Sequence, residues 1–90
     1  MIRRIVYHPR EYRRDFDKKT REVRAALADG TSVAVAVHMR GREAAHPELA
    51  DRMLNRILDA LNDVPMVVRP PARQLEATIE RVLVPDNEPK

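Results

Sequence analysis

Ile5, Val6 and Tyr7 form a short apolar run near the start of the chain, and Pro9, which lacks an amide donor, ends it. Residues 10–14 read as a polar turn. From Asp15 the period changes. Phe16, Thr20, Val23 and Leu27 recur at the spacing of one helix face, with Asp15 placed to cap the start and Gly30 just beyond the end. Residues 32–39 alternate instead: Val33, Val35, Val37 and Met39 share one side, and Ala34, Ala36, His38 and Arg40 the other. The first side predicts packing on helices, and the second a lightly covered sheet surface.

Pro47 suits the first position of a second helix, whose stripe of Leu49, Met53, Ile57 and Leu61 is widened by Ala50, Leu54 and Leu58. Val64 and residues 66–68 read as a third strand, residues 69–73 as a stiff turn and residues 77–84 as a fourth strand. Residues 86–90 make a polar tail expected to fray. The order β-α-β-α-β-β predicts an α/β (α+β) two-layer sandwich, with two helices packed on one face of a four-stranded mixed sheet. No repeat or long linker divides the chain. Residues 1–90 are therefore expected to form a single domain, with its core at about residues 5–85.

Composition narrows the chemistry. There is no cysteine among the 90 residues, so disulfides, thiolate metal sites and a cysteine nucleophile are excluded. The longest apolar run, residues 33–37, is far short of the ~18 residues of a membrane span, and the N-terminus shows no secretory signal. A cytoplasmic protein with no membrane partner is expected. Charge is uneven: residues 1–42 carry a net +6 and residues 43–90 a net −3, within a total of +3. Such asymmetry points to a polyanionic partner or an acidic protein surface, although a solvated basic helix face has the same composition.

Enzymatic constellations are missing. His8, His38 and His46 lack the spacing of a metal site, so no metal is expected. Ser32 is the only serine and lies at a strand start, away from any evident base. Gly30 and Gly41 are the only glycines, too far apart for a phosphate-cradling loop, and no cofactor is expected. Most carboxylates alternate with arginines, as in solvated ion pairs. The chain is therefore not expected to be an enzyme. Among nucleic-acid modules, the GxxG loop of a KH domain is absent, and residues 33–39 lack the aromatics an RRM stacks on. Arginine and lysine recognition of phosphate and shape remains. Arg40-Gly41-Arg42-Glu43 fits it, because glycine at a strand end permits a tight turn that projects two planar guanidinium forks.

The longer stretch of residues 33–49, VAVAVHMRGREAAHPEL, resembles the C-terminal domain of bacterial translation initiation factor three. That family has an alternating valine strand running into R-G-R-E-x-A-H-P-E-L and a helix. Leu54-Asn55-Arg56, the upstream Asp15-Phe16, the Leu27…Gly30 helix end and the closing Val82-Leu83-Val84-Pro85 also match, so the likeness covers about residues 5–85.

The resemblance implies the same α/β sandwich and a binder rather than an enzyme. Such a domain binds ribosomal RNA on the small ribosomal subunit, blocks joining of the large subunit, and supports selection of initiator tRNA and the mRNA start codon. The matching basic positions are Lys19, Arg21 and Arg24 on the first helix, Arg40 and Arg42 at the turn, and Arg56 on the second helix. Arg40, Arg42, Arg24 and Arg56 are expected to contact phosphates, with Lys18, Lys19 and Arg10 adding longer-range attraction. Gly41 is expected to supply the turn geometry and Glu43 to order the turn by pairing with a neighbouring arginine. A monomer is expected. The sequence departs from the family at His8, at His38-Met39, and at Leu75-Glu76-Ala77, where a glycine and an arginine are lost. Glu80 and Arg81 also interrupt an otherwise apolar strand. These departures leave an alternative: a stand-alone paralogue serving as a regulatory RNA- or protein-binding module.

Overall fold

The computed structural model describes residues 2–71 and 77–86. Its elements are β1 (Ile2–Tyr7), α1 (Arg13–Ala28), β2 (Ser32–His38), a 3-10 turn (Gly41–Ala45), α2 (Pro47–Ala60), β3 (Met66–Arg69) and β4 (Thr78–Pro85). The sheet order is β1-β2-β4-β3, with β1 parallel to β2 and the other pairs antiparallel. Both helices pack on one face of this mixed sheet, as the hydrophobic pattern predicts. Residues 72–76, expected in the final turn and hairpin, and the tail beyond Asp86 lie outside the described residues.

The core forms where the valine side of β2 meets the helix stripes. Val33, Val35 and Val37 are fully buried with Tyr7, Val23, Leu27, Ile57, Leu61 and Leu83. Tyr7 and Phe16 tilt against each other with ring centroids 5.8 Å apart, which joins β1 to the first turn of α1. The α1 C-terminus closes as a Schellman motif. Gly30 takes φ +84°, its N–H reaches the Leu27 carbonyl, and Thr31 N–H donates to Ala26 O at 2.9 Å.

Three features differ from the sequence reading, each for a physical reason. β1 begins at Ile2 rather than Ile5, because parallel pairing with residues 32–37 satisfies the backbone even where Arg3 and Arg4 interrupt the apolar run. The first helix starts at Arg13, so Asp15 lies within its first turn rather than capping it. There its charge still favours the positive end of the helix dipole. The far side of β2 is not lightly covered: Ala34 and Ala36 are 6% and 0% exposed. Arg4 and Glu80, from the strands flanking β2, meet in a 3.1 Å ion pair. Arg4 stands opposite Ala34 and Glu80 opposite Ala36, so only small side chains leave room for that bridge. Glu80 thus has a partner, and Arg81 donates to the Glu80 carbonyl at 2.8 Å.

Candidate nucleic-acid interface

Parallel pairing determines where the basic residues emerge. Tyr7 stands opposite Val37, so the residue 8–12 loop and the residue 39–46 turn leave the same end of the sheet. Both helices also begin there.

The turn is built by its backbone. Arg40 is extended, Gly41 takes φ +52°, and a short 3-10 turn follows. A Cβ at Gly41 would meet no atom within 4 Å, so only the left-handed backbone disfavours another residue there. Glu43 accepts the Arg40 N–H at 3.1 Å on its carboxylate, and its own N–H donates to the Arg40 carbonyl at 3.0 Å. Glu43 therefore orders the turn through main-chain bonds, not by pairing with an arginine side chain. This leaves the Arg40 and Arg42 side chains exposed, with no ion pair among the described residues.

Arg56, in the third turn of α2, lies over the Phe16 ring at 4.2 Å. Stacking holds the guanidinium in place while its N–H edges remain able to donate. It lines a hollow of about 230 Å³ with Pro9, Leu49, Arg52 and Met53. Arg52 is a basic contributor that sequence reasoning missed, and its spacing of four residues from Arg56 was the available signal. Arg10 is exposed beside Pro9 in the same loop.

Other basic residues have different surroundings. Arg24 binds Asp63 through two contacts of 2.9 and 2.7 Å, and its second terminal nitrogen donates to Ala60 O at 2.7 Å. The hydrogen bond from Arg24 holds the Asp63 carboxyl below its ordinary range, and the same bond raises the Arg24 pKa. Arg24 thus fastens α1 to the C-terminal end of α2. Arg21 lines a separate hollow of about 300 Å³ with Phe16, Thr20 and Arg24.

Lys19 donates to Glu11 at 2.7 Å and lies 5.7 Å from the Tyr7 ring centroid. Glu11 also accepts the His8 N–H at 2.8 Å. Burial opposes ionisation of Glu11, but the Lys19 and His8 bonds outweigh it and hold the carboxyl below its usual value. Burial, with lesser help from Glu11 and Glu22, pushes the Tyr7 phenol up to about 12, against the opposing pull of its 3.0 Å hydrogen bond with Thr20. Lys18 faces the outer side of β1, in a hollow of about 340 Å³ with Arg4, Val6, Asp15 and Glu22. The structure therefore gathers Arg10, Arg40, Arg42, Arg52 and Arg56 toward one end. It places Lys18 and Lys19 on the β1 side, and Arg21 and Arg24 farther along α1.

His8, His38 and His46 remain apart in role. His38 hydrogen-bonds Thr78 at 3.0 Å, and His46 pairs with Glu48 at 3.2 Å. Among the described residues no cluster of metal-ligating side chains is arranged around a common point. None of the described helices is long and apolar enough to cross a membrane.

The family model described as "Translation initiation factor IF-3, C-terminal domain" matches residues 1–86. Translation initiation factor IF-3 from Anaeromyxobacter dehalogenans strain 2CP-1 is 33% identical over 70 residues, covering 78% of this chain and 30% of that protein. Its counterpart from Thermus thermophilus is 34% identical over 70 residues, covering 78% of this chain and 41% of the relative. The Deinococcus deserti protein of the same name reaches 52% over 50 residues, or 56% of this chain and 24% of its own length. The matched stretch thus spans about a quarter to two fifths of each relative's length.

Proposed function

The chain belongs to the translation initiation factor IF-3 C-terminal domain family, and on that premise we propose that it binds RNA of the small ribosomal subunit and hinders joining of the large subunit. The observation that carries this reading is the turn at residues 40–43. Its acid is engaged by the main chain, and its two guanidinium groups are exposed without ion-pair partners among the described residues. Planar guanidinium forks on a rigid turn suit phosphate oxygens. Arg56 and Arg10 extend the contact, and Arg52 joins them. Arg24 and Lys19, already held by carboxylates, serve as braces in this reading, with Arg21 and Lys18 contributing general attraction. The domain acts as a monomer in the cytoplasm, by occupying a surface rather than by chemistry, and it indirectly aids initiator tRNA and start-codon selection.

Binding to purified small subunits across a salt series tests the proposal. About five phosphate contacts predict a log-log salt slope of roughly −3.5 to −4.5. Arg40→Glu with Arg42→Glu should weaken binding on the order of 100-fold, from two charge-assisted contacts at roughly 1.5 kcal/mol each. Melting temperature should be nearly unchanged. Full affinity in the double variant, or co-sedimentation with no subunit, rejects the reading.

A further inference from the structure

The segment Arg10-Glu11-Tyr12-Arg13-Arg14 carries a feature the turn does not explain. Tyr12 is 81% exposed, the most exposed large hydrophobic side chain described. It occupies the N-cap of α1 but makes no side-chain capping bond. Serine, threonine, aspartate or asparagine would cap that helix, so helix stability does not account for a tyrosine here. Core packing does not account for it either.

Its surroundings are basic and anchored. Glu11, whose side chain is 4% exposed, is turned inward to Lys19 and the His8 N–H, so its charge is neutralised within the fold. Arg10, Arg13 and Arg14 are exposed, and only Arg13 has an ion-pair partner among the described residues, a 3.9 Å contact with Asp17. Tyr12 O accepts the Phe16 N–H at 2.9 Å, which fixes the backbone beneath the ring. The ring borders an open hollow of about 340 Å³ shared with Arg14 and Asp15.

We infer that Tyr12 is a stacking platform for an unpaired nucleobase, with Arg10 and Arg14 holding the flanking phosphates. An aromatic face beside free guanidinium groups is the chemistry of single-strand binding, because every base offers a π-face and the backbone a regular charge. Among the described residues the hollow is bordered, beside the ring, by Arg14 and Asp15, which suits a charged planar ligand better than an apolar protein surface. The fixed backbone lowers the ordering cost of capture. The site shares Arg10 with the proposed ribosomal-RNA contact but centres on Tyr12, outside the turn at residues 40–43. Tyr7, the one aromatic in the described strands, is buried, and the exposed ring is supplied at a loop-to-helix junction instead.

The chain offers its own reporter. It has two tyrosines and no tryptophan, and Tyr7 is fully buried, so quenching of tyrosine emission by a short oligonucleotide reads Tyr12. Single-stranded hexauridylate should quench it, whereas an RNA duplex should not. Labelled hexauridylate should bind Tyr12→Ala about 5- to 100-fold more weakly with the same salt slope, while Tyr12→Phe stays within about twofold. Equal affinity in Tyr12→Ala, an equal loss in Tyr12→Phe, equal quenching by duplex, or no quenching by hexauridylate would each overturn the inference.

Discussion

Arg24 and Arg40 are the same residue type in opposite circumstances. Arg24 reaches an aspartate 39 positions away and a helix-end carbonyl, and all three contacts lie between 2.7 and 2.9 Å. The acid nearest Arg40 in sequence, Glu43, receives its backbone N–H instead of its guanidinium. Lys19 follows the first pattern, held by Glu11, and Arg42 the second. Availability for a partner is therefore decided by which acids the fold brings within reach, not by how many basic residues a helix carries. A charge count treats all four alike.

The comparison can be strained in several ways. Glu11→Ala should have the largest effect on stability. It leaves Lys19 and the His8 N–H without their acceptor, and should cost about 2 kcal/mol in urea unfolding. RNA affinity measured where the variant remains folded should barely change. A parallel loss of affinity would mean that the braced cations also bind.

Acid should act on the same braces. The folded pKa values of Glu11 and Asp63 are depressed, so the unfolded chain takes up protons first as pH falls. Their contribution is complete above the ordinary carboxylate range near about 4 and disappears as pH drops through the lower folded values. Melting temperature followed from pH 6 downward should show this decline, and Glu11→Gln should flatten part of it. An acid limb unchanged by that substitution would remove Glu11 from the argument.

The smallest expected effect is that of Arg24→Ala. It should lower the melting temperature modestly, because the pair with Asp63 is solvent-exposed and screened. The salt slope of RNA binding should not move. A slope shallower by about one unit would show that Arg24 does touch a phosphate.

Much of the architecture is legible because it is written in local periods. Phe16, Thr20, Val23 and Leu27 mark a helix face, the alternating valines mark β2, and Gly30 marks a helix end, all within short windows. What escapes is non-local. Nothing near Arg24 announces Asp63, and nothing near Ala34 announces that Arg4 and Glu80 will close over it. β1 reads three residues short because its two arginines break the apolar pattern, whereas pairing with β2 needs only their backbone. At the site, the turn glycine and its arginines are readable from the tetrapeptide. The role of Glu43 is not, because the choice between a guanidinium and an amide depends on geometry. Tyr12 merges into a polar turn when read in sequence, since exposure is a property of the folded surface.

The last described strand to be synthesised, β4, lies inside the sheet between β2 and β3 rather than at its margin. A nascent chain lacking residues 78–85 would therefore leave β2, the most apolar segment, open along one flank. β3 would have no neighbouring strand at all. Closure of this sheet must wait until β4 has cleared the exit tunnel, so the ribosome has to release nearly every described residue before any version of the sheet can be whole.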